Sequence, residues 1–103
     1  MEANIAYRKA EERIAAAQQE ESTKLDLSNL GLTEVPETIA QLTHLQRLDL
    51  DNNQLSDLPE AIAQLTHLQE LTLNNNQLSD LPEAISQLRN LQGLDLQYNQ
   101  NLR

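Results

Sequence analysis

Two histidines, His44 and His67, stand 23 residues apart in the same local sequence, Leu-Thr-His-Leu-Gln. Imidazoles that recur at one fixed interval are the residues here best suited to chemistry, because two stacked copies could share a metal ion. The position falls in a turn, however, and the next copy of it carries Asn90. A polar turn residue is therefore all the pattern asks for, and no metal or cofactor is expected. The carboxylates also recur: Asp57 and Asp80 in one series, Glu37, Glu60 and Glu83 in another just after a proline. Negative charge in a first helical turn is favoured by the backbone dipole, so these glutamates need no ligand to explain them. A calcium site needs six or more convergent oxygens presented by a loop, and flat columns of strand side chains do not supply that. The chain has no cysteine, no G-x-S-x-G, no P-loop and no H-E-x-x-H. These absences remove the familiar nucleophile, phosphate and zinc signatures, so catalytic residues are not expected.

The elements that would position these residues come from a repeat. Residues 42–64 and 65–87 are 23-residue blocks that match at 19 positions. Residues 19–41 match the first of these at 10 positions, and a fourth block begins at Leu88 and stops at Arg103 before it is complete. Internal repetition at 20–50 residues is the signature of stacked architectures. Composition agrees: 21 of the 103 residues are leucine, against two tyrosines and no phenylalanine or tryptophan. A core built almost wholly of leucine fits one packing layer repeated many times. Alternation in Leu48-Asp49-Leu50 is the period-two signal of a short strand, with leucine inward and aspartate outward. One such strand cannot bury its face alone, but copies stacked about 4.8 Å apart build a continuous core. Asn53 and Asn76 fall where the chain leaves the strand, and buried carboxamides there can pair turn backbone as a ladder. Leu30 stands at that position in the first block, so the ladder is not expected to include it. Pro59 suits a first helical position, and Ile62 and Leu65 then point a helical turn of one or two turns back to the core.

Inside each block lies L-x-x-L-x-L-x-x-N-x-L, complete at Leu45 to Leu55 and at Leu68 to Leu78, followed by x-x-L-P-x-x-I-x-x-L-x-x. Over roughly residues 22–102 this resembles the leucine-rich repeats of bacterial Roco-type proteins and of intracellular Ras-associated scaffolds. The resemblance implies an α/β solenoid: a short curved parallel sheet, with helical turns on its convex side. The expected organisation is an N-terminal amphipathic capping helix, 1–21, then three and a half repeats at 22–41, 42–64, 65–87 and an incomplete 88–103. Residues 3–20 are rich in helix formers, with Asn4 as N-cap and a stripe of Tyr7, Ala10, Ile14 and Ala17 to cover the first repeat. A membrane-surface or partner-binding use of this helix is the alternative, although its polar face is mixed in sign and its bulky apolar residues are few.

The last block departs from the pattern. Its leucine, Leu102, arrives one residue late, which implies a 24-residue repeat with a small bulge. No polar cap follows Leu94 and Leu96, so the chain is expected to continue past Arg103, the alternatives being that another chain covers this end or that the short final repeat tolerates fraying.

The resemblance implies a protein-interaction module whose concave face is lined by outward strand residues. Those residues form columns: Lys24, Arg47, Glu70 and Gly93; Asp26, Asp49, Thr72 and Asp95; Ser28, Asp51, Asn74 and Gln97; and, at the strand end, Asn29, Asn52, Asn75 and Tyr98. Neither core packing nor turn geometry should dictate them, and three of the four differences between the two near-identical blocks fall here. Free drift of exposed positions explains those differences as well as tuning does. The first three columns carry two cations, Lys24 and Arg47, against Asp26, Asp49, Asp51, Glu70 and Asp95. Asp26 and Asp49 should be neighbours, with Lys24 and Arg47 placed to relieve their repulsion. A basic or polar polypeptide is the expected partner. Only Tyr98 and Arg47 are residues of the kind that anchor interfaces, so binding by this piece alone should be weak.

Two other readings stand beside that one. The lead-in Glu12 to Glu37 is similar to the stretch before the first repeat in Roco-type proteins, which would make this an N-terminal sensor or tether in a larger GTPase. A glycine-alanine pair often precedes the first strand there, and Glu21-Ser22 stands here instead. Alternatively the chain is a structural unit that self-associates through its C-terminal repeat. A net charge of −9 disfavours nucleic acid, and the sequence contains no apolar run long enough for a membrane span. The first residues lack the shape of a secretory signal. Extracellular members of the resembled class cap their ends with disulfide-bonded segments, so a chain without cysteine is expected in the cytoplasm.

Overall fold

The computed structural model describes residues 2–99 and 102, and the side chains of 4–99 and 102. Helix α1 (Glu2–Gln19) is followed by four three-residue strands, β1 (Lys24–Asp26), β2 (Arg47–Asp49), β3 (Glu70–Thr72) and β4 (Gly93–Asp95). The strands pair in sequence order, all parallel, in a register offset by one repeat each time: Leu25 opposite Leu48, Leu48 opposite Leu71, Leu71 opposite Leu94. Between strands the chain returns through single 3₁₀ turns, Glu37–Gln41, Glu60–Gln64 and Glu83–Gln87. Each return is short because one turn suffices to bring its isoleucine back to the core. Ile39 and Ile62 are fully buried, with Leu45, Leu50, Leu55, Leu65, Leu68, Leu71, Leu73 and Leu78 at the same limit.

The prolines stand one residue earlier than expected. Pro59 has φ −71° and ψ 156°, an extended conformation, and its carbonyl accepts the first turn bond from the Ile62 N–H at 3.1 Å. It therefore precedes the turn rather than opening it, and Glu60 takes the first helical position, as Glu37 and Glu83 do in theirs.

Helix α1 packs against β1 and the first 3₁₀ turn. Its buried stripe is Ala6, Ala10, Ile14 and Ala17. Tyr7 is only half-buried, so the expected stripe is shifted by one residue at its first position. Small alanines let the helix axis approach the sheet closely, and a tyrosine at that depth would hold it off. Asn4 is not an N-cap, because the helix already begins at Glu2. The helix ends in a Schellman arrangement: the Ser22 N–H reaches the Ala17 carbonyl at 2.9 Å and the Glu21 N–H reaches Gln18 at 3.2 Å. Glu21 accordingly sits at φ 54°, in the left-handed region usually given to glycine.

The asparagine ladder is present and runs in one direction. The Asn53 carboxamide donates to the Leu27 and Leu50 carbonyls, both at 3.0 Å, and its Oδ1 accepts from the Leu30 and Leu32 N–H groups at 3.1 and 2.9 Å. Asn76 repeats this on Leu50, Leu73 and Leu55, and Asn99 on Leu73, Leu96 and Leu78. Each asparagine thus serves its own repeat and the one before it. The first repeat has no repeat before it, so Leu30 can replace asparagine without leaving a bond unmade. Asn99 is a ladder member that a further step of 23 residues from Asn76 locates. Leu102 packs against the core cluster and its N–H bonds the Asn99 carbonyl at 3.0 Å. The bulge expected just before it lies outside the described residues.

Candidate interaction surface

The register of the sheet turns the four strands into two in-line columns. Lys24, Arg47, Glu70 and Gly93 face one another in turn, and so do Asp26, Asp49, Thr72 and Asp95. The structure therefore brings these sequence-predicted residues onto one face. A groove of about 370 Å³ opens there, lined by Lys24, Asp26, Arg47, Asp49, Glu70 and Thr72 with Leu25 and Leu48. Lys24, Arg47, Glu70 and Asp95 are exposed, whereas Asp49 and Thr72 are half-buried.

The charges are relieved differently from the sequence expectation. Arg47 does not turn to the aspartate column. Its guanidinium pairs with Glu70 at 3.3 Å along its own column, where one strand spacing separates neighbours. Residues two apart on one strand are farther from each other, so the in-column partner wins. Asp26 is served by Ser28, whose hydroxyl and N–H both donate to its Oδ1, and by the charge of Arg13. These interactions, the Ser28 hydroxyl foremost and its N–H next, hold the carboxyl below the usual aspartate range against the opposing effect of burial. Asp49 accepts from the Asp51 N–H at 2.9 Å and the Thr72 hydroxyl at 3.0 Å.

A second hydrogen-bonded series, which sequence reasoning did not find, runs through the third column. Asp51 Oδ1 accepts the Asn74 N–H and Asn74 Oδ1 accepts the Gln97 N–H, both at 2.8 Å and both across one repeat. Asp51 and Asn74 thus cap backbone as well as facing outward. The fourth column answers to turn geometry after all. Asn29, Asn52, Asn75 and Tyr98 have φ between 57° and 61°, left-handed values that asparagine tolerates better than other side chains. The recurring asparagines were the signal for this. Tyr98 is the exception, a bulky residue in a conformation it disfavours, with 71% of its surface exposed.

On the turns that lead into β2 and β3, His44 and His67 are neighbours, with ring centroids 6.0 Å apart and planes at 47°. No group of three or more histidine, aspartate or glutamate side chains is placed to hold a metal among the described residues.

A family profile described as a leucine-rich repeat region matches residues 24–102. The chain belongs to the leucine-rich-repeat family. Among solved structures, the leucine-rich repeat domain of the type III effector XopL superposes with a TM-score of 0.83 at 30% identity, covering 94% of this chain and 33% of that one. A leucine-rich-repeat protein of Leptospira interrogans is 31% identical over 81% of this chain and 33% of its own, with a TM-score of 0.44. The chain thus spans about a third of the length of the solved chains it matches. No curated protein matches it. Leucine-rich-repeat domains generally mediate protein–protein interaction. No helix among the described residues is long and apolar enough to cross a membrane.

Proposed function

We propose that this leucine-rich-repeat unit is a non-enzymatic cytoplasmic module that binds a basic or polar polypeptide across its concave strand face. The observation that carries this reading is the in-register groove, whose charged walls hold more carboxylates than cations. A rigid ladder-stapled sheet presents those side chains with little ordering cost on its own side, which favours binding of an extended segment. Because exposed charges at such a surface act mainly through encounter and salt-dependent attraction, affinity should be modest and fall with ionic strength.

Selection from a displayed library of random peptides tests this directly. Recovered binders should be rich in lysine and arginine, and should lose affinity when Glu70→Lys and Asp95→Lys are combined. Both side chains are exposed, and among the described residues the Glu70 carboxylate pairs with Arg47 at the surface. Binders that are acidic, or that ignore the double replacement, would refute it.

A second reading is favoured by the β4 end. Leu81 is 51% exposed although its counterpart one repeat earlier, Leu58, is 7% exposed, and Leu91, Leu94 and Leu96 are only half-buried. Self-association through this end would cover them. Sedimentation equilibrium of residues 1–103 decides: a dimer that dissociates on Leu94→Lys supports it, and a monomer at high concentration removes it.

A further inference from the structure

We propose that the partner segment is extended and of mixed charge, with an acidic side chain over Lys24 of β1 and a basic one, about four residues away, over Asp95 of β4. This deepens the concave-face reading and rests on it. Most charges on the face are already engaged. The Arg47 guanidinium and the Glu70 carboxylate are paired at 3.3 Å. Asp26 accepts from Ser28, and Arg13 donates to the Asp26 carbonyl at 2.9 Å. Asp49 accepts from the Asp51 N–H and the Thr72 hydroxyl, and Asp51 accepts from the Asn74 N–H. Two charges are left, at opposite ends of the sheet. Lys24 and Asp95 are exposed, and among the described residues neither side chain makes an ion pair or a hydrogen bond.

The repeat explains why Asp95 is left over. Asp26 and Asp49 each accept the N–H two residues ahead, from Ser28 and Asp51. The corresponding N–H of Gln97 is taken instead by Asn74 Oδ1 at 2.8 Å. The neighbouring column also gives way here. Gly93 stands opposite Glu70 with no side chain, and a Cβ there would touch Glu70 Cγ at 3.6 Å. An incoming basic group therefore finds room beside Asp95. Tyr98, three residues on, is held at φ 61° with 71% of its surface exposed, where the other repeats place asparagine. A strained, exposed ring fits a binding role, because an aromatic face attracts cations.

The spacing selects the segment. Three strand spacings of about 4.8 Å separate β1 from β4, about 14 Å along the stack. An extended chain rises about 3.4 Å per residue, so four residues cover that distance. An even step also turns both side chains to the same face, toward the sheet. The rest of the field agrees with this polarity. From β2 to β4 the carboxylates of Asp49, Asp51, Glu70 and Asp95 outnumber the one cation, Arg47, whereas Lys24 and Arg13 outnumber Asp26 at β1.

The test is selection from a displayed random-peptide library on the full chain, repeated on Lys24→Glu. Binders of the wild-type chain should carry Asp or Glu four residues from Lys or Arg, in either order, since an extended segment can cross the sheet in either direction. Replacing that acid by glutamine should weaken binding about two- to fivefold in fluorescence anisotropy at low salt, the scale of one exposed ion pair. Replacing it by lysine should restore binding to Lys24→Glu, a rescue that a purely structural effect would not produce. Lys24 is exposed, so this variant should unfold as the wild type does. Lysine- and arginine-rich binders with no acid at that spacing, or a preference that Lys24→Glu leaves unchanged, would overturn this inference and spare the basic-segment reading. Acidic binders, or none, would overturn both.

Discussion

Replacing Asn76 by alanine isolates the energetic role of the ladder. Four partners lose the carboxamide, the Asn74 carbonyl only a long contact of 3.3 Å, and the other three do not lose equally. The Leu50 carbonyl keeps Asn53 at 3.0 Å and the Leu73 carbonyl keeps Asn99 at 2.9 Å, so each forfeits one bond of two. Each such net loss is about 0.5–1.5 kcal/mol. The Leu55 N–H has no such reserve: it donates to Asn76 Oδ1 at 3.0 Å in a residue with no exposed surface. An orphaned buried donor costs about 1–3 kcal/mol. The variant should therefore lose about 3 kcal/mol in urea unfolding followed by circular dichroism, with an unchanged m-value. In a domain of this size that corresponds to a Tm lower by about 12–24 °C. Asn76→Asp sharpens the test. It keeps the acceptor for Leu55 but turns a carboxylate oxygen toward two carbonyls, so at neutral pH it should be worse than alanine. That carboxyl would have its pKa raised by folding, so the penalty is full above the folded pKa and fades as pH falls toward the unfolded one. A loss below about 1 kcal/mol for alanine, or a wild-type stability for the aspartate variant at pH 7, would refute the ladder account.

Three further predictions follow from local geometry. Glu21→Gly should raise stability by about 1 kcal/mol in the same denaturation assay, because glycine takes the φ of 54° at the end of α1 without strain. Tyr98→Asn should also stabilise by about 1 kcal/mol, since it restores the residue that the other three repeats use at φ near 60°. Asp26 has a lowered pKa, so its contribution is present above the unfolded aspartate pKa and is lost as pH falls through the folded value. Asp26→Asn should accordingly flatten the acid limb of the stability profile, with little pH dependence added above pH 5.

The period, the inward leucines and the ladder were legible because each follows from position within a 23-residue block. The strands are only three residues long, yet Leu48 and Leu71 identify themselves by alternation and by recurrence. What was not legible depends on distances between repeats. Arg47 pairs with Glu70 rather than with an aspartate because strand spacing is shorter than the two-residue step along a strand. The caps that Asp51 and Asn74 provide need the next repeat's N–H in place, which a motif does not state. Ala6 displaces Tyr7 from the helix stripe because closeness to the sheet, not bulk, decides that position. For the candidate surface, the columns themselves could be read from sequence, but which side chains are already engaged in them could not.

The one-way reach of the asparagines gives the molecule a direction in time. A ribosome delivers the N-terminal repeat first, but the Leu30 and Leu32 N–H groups have no acceptor until Asn53 emerges, and Leu55 and Leu78 wait likewise for Asn76 and Asn99. Every newly synthesised repeat therefore closes its predecessor and leaves only itself open. Among the described residues the series is complete only once Asn99 is in place, since it is Asn99 that accepts the Leu78 N–H.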